Sequence, residues 1–111
     1  MIMVDRNLSY RAEGGETVRM QIRIHAPATI DGHWVCVYEI DWPDGTRRME
    51  AAGVDSMQAL VVALQMIGAE LYTSSYHAEG RLVFDAPGSG YGFPVVPSLR
   101  PLLVGDDARF F

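Results

Sequence analysis

Through most of the first fifty residues apolar and polar positions alternate, the period of strands with one buried and one wet face. From Ile2 to about Arg11, Ile2, Val4, Leu8 and Tyr10 fall on one side and Asp5, Asn7 and Ser9 on the other. Arg6 is the exception, a charge on the apolar side. Glu13-Gly14-Gly15-Glu16 predicts a turn, because glycine reaches the positive φ that tight reversals need. The pattern then sharpens: Val18, Met20, Ile22 and Ile24 alternate with Arg19, Gln21, Arg23 and His25, completing a hairpin. Pro27 is expected to end that strand, with Ala28 to Gly32 as a connection. His33 to Asp41 alternates again and puts Trp34, Cys36, Tyr38 and Ile40 on one face. Trp42-Pro43-Asp44-Gly45 is a reversal signal, since proline presets φ and Asp-Gly suits the next turn positions. Thr46 to Ala51 should therefore return antiparallel as a second hairpin.

At Gly53 the period changes. Asp55 is placed to accept from backbone N–H groups of a first helical turn, and Gln58 to reach back, as in a capping box. The spacing predicts one long helix over about 55–73. Met57, Leu60, Leu64 and Leu71 form one stripe, flanked by Val61 and Ile67, and this is the face expected on the sheet. The opposite side, with Ala59, Val62, Ala63, Met66 and Ala69, is apolar too, so a sheet on one face leaves a second to hide. The C-terminal tail folding back is one cover; the same face of another subunit is the other, two-fold self-association being the commonest oligomer arrangement. Gly68 lies within the core stripe, where glycine costs about 1 kcal/mol against alanine. That points to a bulky neighbour, such as Trp34 or Trp42, pressed on bare backbone.

Arg81 to Asp85 predicts a short fifth strand and Pro87 to Pro94 a loop. Pro94, Pro97 and Pro101 predict an extended tail rather than a helix. Val95, Val96, Leu99, Leu102, Leu103 and Val104 make it too apolar to hang free. The expected architecture is α+β: an antiparallel sheet of about four to five strands packed on one long helix, in one domain of residues 1–111 with the tail (about 94–111) lying on the body.

At 111 residues the chain is long enough to hide roughly two thirds of its unfolded surface, so a core needs neither metal nor disulfide. Cys36, the single cysteine, has no partner in the chain, and a reducing cytoplasm is the simplest setting. No signal-peptide pattern follows Met1, and no apolar run approaches bilayer-spanning length. The net charge of −5 argues against non-specific nucleic-acid or anionic-membrane binding and would suit a basic partner. All nine basic residues are arginine.

Reactive constellations are not visible. Cys36 falls on the apolar Trp34-Tyr38-Ile40 face, and His25, His33 and His77 lack ligand spacing, so no metal, cofactor or catalytic set is assigned. Gly88-x-Gly90-x-Gly92 has the look of a phosphate loop but lacks the lysine and following helix of that chemistry. Arg19, Gln21, Arg23 and His25 line one strand face, joined by Arg47 and Arg48. They read as a solvated face with salt links to Glu39 and Glu50, or as a recognition face for an acidic partner or, as a lesser alternative, RNA. Candidate interaction residues are Ala59, Val62, Met66 and Ala69 on the helix, Arg19 and Arg23 on the sheet, and the aromatics Trp42, Tyr91 and Phe93, because aromatics anchor interfaces.

Trp34-x-Cys36-x-Tyr38, then Gly53-Val54-Asp55-Ser56-x-Gln58-Ala59-Leu60-x-x-Ala63-Leu64, then Gly92-Phe93-Pro94 resemble a family of small bacterial proteins catalogued only as a domain of unknown function. The resemblance covers roughly residues 17–95; it implies a bacterial origin and a sheet-plus-helix domain and carries over no catalytic residue. More loosely, strands followed by a capped helix with an acidic first residue and an Ala-Leu pair are similar to the antitoxin partners of small toxin–antitoxin pairs. The expected function is a cytoplasmic, non-enzymatic protein-binding module, an immunity- or antitoxin-type inhibitor, with a protein partner or a second copy of itself. The alternative is a small-molecule-binding domain or enzyme with a pocket between sheet, helix and the 88–94 loop.

Overall fold

The computed structural model describes residues 1–111. Six strands are β1 (Ile2–Arg11), β2 (Thr17–His25), β3 (Ala28–Ile30), β4 (His33–Trp42), β5 (Gly45–Gly53) and β6 (Leu82–Val83). Helices are α1 (Ser56–Tyr72), α2 (Ser75–Ala78) and α3 (Gly105–Phe110), with a 3₁₀ turn at Pro97–Leu102. All strand pairings are antiparallel. Across the sheet the order runs β6, β1, β2, β4, with β5 on the far side of β4 and β3 continuing along the edge that β4 shares with β2.

The strand β3 replaces the expected connection at 28–32. Ile30 pairs with His33 across Asp31-Gly32, and both turn residues take positive φ, 51° and 81°, as a two-residue hairpin turn requires. Pro27 interrupts the strand without ending the hairpin. Ile24 faces Tyr38 and Ala28 faces Val35, so one edge carries an extra residue where proline has no N–H to give the ladder. The second hairpin stands where the sequence puts it, with Trp42 opposite Gly45 across Pro43-Asp44.

The start of α1 is capped at both ends of its first turn. Asp55 Oδ1 accepts from the Gln58 N–H at 2.8 Å, and Gln58 Oε1 accepts from the Val54 N–H at 2.6 Å, one residue earlier than the usual reciprocal bond. Gly53 is needed there because a Cβ would sit 2.4 Å from the Ala59 backbone nitrogen.

The face that α1 lays on the sheet is only partly the expected one: Ile67 and Leu71 lie inside as the pattern predicts, but the first turns are rotated. Ala59, Ala63, Ile67 and Leu71, at i, i+4 spacing, are wholly buried, while Met57 and Val61 point outward and Leu60 and Leu64 are half-buried. The sheet already fills the interior with Met20, Ile22, Tyr38 and Ile40, so two alanines face it where the helix starts its crossing and allow close approach. The helix is further tied down by Glu70, which accepts from the Tyr38 hydroxyl and pairs with Arg47 Nε at 2.7 Å.

The tail is helical in parts, against the expectation of an extended segment. Pro97 begins a 3₁₀ turn, where a missing N–H is harmless, and α3 follows. Val95 and Leu103 join the core. The tail is also the neighbour that Gly68 accommodates: a Cβ there would lie 2.1 Å from the Pro94 carbonyl oxygen. Trp42 instead stacks on Tyr76, with ring centroids 5.5 Å apart. The tail thus crosses the helix at Gly68, and the first turns of α1 lie beyond that crossing. No helix is long and apolar enough to cross a membrane.

Candidate functional site

The glycine-rich loop holds an anion after all, and the anion is the chain's own. Asp107, the third residue of α3, is 1 % exposed. Its Oδ2 accepts from the Tyr91 N–H at 2.8 Å and the Tyr72 hydroxyl at 2.5 Å; its Oδ1 accepts from the Gly92 N–H at 2.8 Å. Consecutive backbone N–H groups cupping an oxyanion form an anion-binding concavity. Gly90 makes room for it: at φ 89° a Cβ would meet the Asp107 carboxyl carbon at 2.5 Å.

Around this lock the other polar groups are held un-ionised. The Tyr72 hydroxyl also accepts from the Val104 N–H at 3.5 Å. Burial, then the bond to Asp107, pushes its phenol well above the usual range. Tyr91 is pushed up to about 12 by burial and by the Asp107 charge, and its hydroxyl shares a hydrogen bond with His77 Nδ1. Burial holds the His77 imidazole below its ordinary value, so it is neutral at pH 7. Phenols raised in this way stay protonated at neutral pH.

Arg6 closes the loop from the other side. Its Nη1 donates to the carbonyls of Tyr91 at 2.9 Å and Gly92 at 3.0 Å, and its guanidinium lies between the rings of Phe84 and Phe93, 4.6 and 5.0 Å from their centroids. Beside it, between β1, β2, α1 and Gly92-Phe93, is a half-open cavity of about 320 Å³ whose walls include Val4, Ile22, Ile24, Leu64 and Phe93.

The outer face of the sheet carries a different network. Arg23 donates to both oxygens of Asp41 at 2.7 Å and to Gln21 at 2.9 Å, and its Nε lies 3.7 Å from Glu39. His25 Nε2 is 2.6 Å from the same Glu39, and Thr46 donates to Asp41 at 2.8 Å. The bond from Arg23 holds the Asp41 carboxyl below its ordinary value, and the bond to His25 does the same for Glu39.

The structure scatters the candidate interaction residues. Ala59 is sealed against the sheet, and Tyr91 and Phe93 are core residues, because the loop that carries them turns inward to meet Asp107 and Arg6. These three lie in the interior. Val62, Met66 and Ala69 are half-buried, Trp42 is half-buried on Tyr76, Arg23 is ion-paired and Arg19 is exposed. Cys36 is buried, and burial raises its thiol.

Sequence reasoning missed Asp107, Tyr72 and His77, and it placed Met57 and Val61 inside. Arg6 alone gave a signal, as a charge breaking the alternation of β1. No curated protein and no solved structure matches the chain. The family described as Domain of unknown function (DUF6968) matches residues 4–95, from the start of the sheet to the tail's crossing of α1, and the chain belongs to that family.

Proposed function

We propose that this chain is a non-enzymatic protein-binding module whose docking face is the first two turns of α1. One observation carries the reading: Val54, just before α1, and Met57 and Val61, on its first two turns, are 84 %, 73 % and 45 % exposed and cluster at one end of the helix. Clustered exposed apolar side chains of this size mark interaction surfaces. The tail crosses α1 at Gly68 and leaves this end open. Half-buried Val62 and Met66 would border the contact, and the chain's net charge of −5 favours a partner with a basic rim. An immunity- or antitoxin-type inhibitor works in this mode, by covering another protein's surface.

A photoreactive residue at position 57 tests the reading in cells that make the protein. A discrete adduct is expected at 57, lost with Val61→Glu, and none at position 100. An adduct of twice the chain's mass identifies the partner as a second copy; no discrete adduct at 57 removes the proposal. A second reading, a small-molecule-binding domain, draws on the cavity between β1, β2, α1 and Gly92-Phe93.

A further inference from the structure

Three arginines are half-buried: Arg6, Arg23 and Arg81. Arg23 is paired with Asp41 and Glu39, and Arg81 lies near Glu13 and Glu79. Arg6 has no carboxylate within ion-pairing distance; its contacts are two carbonyl oxygens and two phenyl rings. Both carbonyls are served by Nη1, which leaves the N–H groups of Nε and Nη2 without a protein acceptor. No buried side-chain nitrogen or oxygen in the chain is unpartnered, so these N–H groups are reached by solvent. Arg6 also lines the 320 Å³ cavity, whose remaining surface is mostly aliphatic and aromatic.

The combination is an apolar wall with one unpaired, fork-shaped cation at its end. We propose that this cavity binds a small apolar carboxylate, with the hydrocarbon against Val4, Ile22, Ile24 and Leu64 and the carboxylate on the free N–H groups of Arg6. The proposal rests on the small-molecule reading and names its ligand class. A guanidinium presents parallel donors that match the two oxygens of a carboxylate. Asp5, also in the lining, makes a singly charged ligand more acceptable than a phosphate dianion. The volume lies at the small end of the range for ligand pockets, roughly 300–1,000 Å³, which suits a ligand of medium chain length. Arg6 is already fixed by Tyr91, Gly92 and the two phenylalanine rings, so binding costs little further ordering of the side chain.

Methyl and arginine Nε–H NMR titration of the full chain tests the proposal with three probes: octanoate, octan-1-ol and the peptide Ala-Ala-Leu with a free carboxyl terminus. Octanoate is expected to shift the Val4, Ile22, Ile24 and Leu64 methyls together with the Arg6 Nε–H, and to bind at least about tenfold tighter than octanol, since hydrogen bonds to a charged group are the strong ones. Tighter binding of Ala-Ala-Leu would place the same chemistry on a polypeptide terminus. Leu64→Trp, at a half-buried position on the cavity wall, should abolish the shifts while the rest of the spectrum stays folded. Arg6→Lys should weaken octanoate about tenfold or more without affecting octanol. If Arg6→Lys loosens the loop, Leu64→Trp and the octanol comparison still decide. Equal binding of octanol and octanoate overturns the carboxylate assignment and leaves a small-molecule pocket. Absence of any shift at these methyls with all three probes overturns both.

Discussion

Asp41 and Asp107 each accept several hydrogen bonds, yet one lies on the open face of the sheet and the other inside the C-terminal third. Asp41 meets a cation, Arg23, at a place that water still reaches. Unfolding returns both charges to good solvation, so little is lost. Asp107 meets neutral donors, two backbone N–H groups and a phenol, where water does not reach. Its donors have nowhere else to turn. On these grounds the exposed ion pair is expected to be a weaker hold than the buried carboxylate with no cation at all.

Three measurements bear on the difference between the two carboxylates. Asp107→Ala should have the largest effect, about 3–4 kcal/mol of stability in urea unfolding, because it strands the Tyr72, Tyr91 and Gly92 donors together. A cost below about 1 kcal/mol would mean that the C-terminal lock is loose.

The second effect is on pH. His77 is harder to protonate folded than unfolded, so the unfolded chain binds more protons below the ordinary histidine value of 6.5. Stability should therefore fall as the pH drops below 6.5 and level off once it passes the folded value. Asp41 and Glu39, held below their ordinary values of 3.8 and 4.5, lose their contribution only in the more acidic range. Urea midpoints at pH 7.5 and 5.5 separate the two, and His77→Gln should flatten that interval where Asp41→Asn does not.

The smallest effect belongs to Asp41→Asn itself, less than about 1 kcal/mol at moderate salt. It should shrink further in 1 M salt, where screening acts over about 3 Å. A loss as large as that of Asp107→Ala would put the outer network on an equal footing and dissolve the comparison.

How much of this was legible in the sequence follows from where each partner lies. The β2 alternation, the Pro43-Asp44 turn and the Asp55 cap are local, and all three stand in the structure. The Asp31-Gly32 turn is equally local, but Pro27 breaks the alternation just before it, and an interruption in one strand has the pattern of a boundary. The sheet-facing side of α1 was legible only at Ile67 and Leu71, because both sides are apolar and the choice depends on how much volume the strands have already filled. Asp107 was beyond reach: its donors stand 15, 16 and 35 residues away, and nothing in Gly105-Asp106-Asp107 announces a buried charge. Tyr91 and Phe93 have the composition of surface anchors, and only the inward turn of their loop makes them core.

The two-residue turns at Asp31-Gly32 and Pro43-Asp44 lie at opposite ends of β4. Closing a loop costs entropy that grows with its length, so β4 is the strand that gathers its neighbours most cheaply, β3 and β2 along one edge and β5 along the other. Contacts of small sequence separation also form fastest. The assembly sequence this implies starts at β4 and ends with the distant pairings, β1 with β6 and Asp107 of α3 with Tyr72 at the end of α1. The part of the chain whose pattern was easiest to read is then the part that needs the least of the rest in order to form.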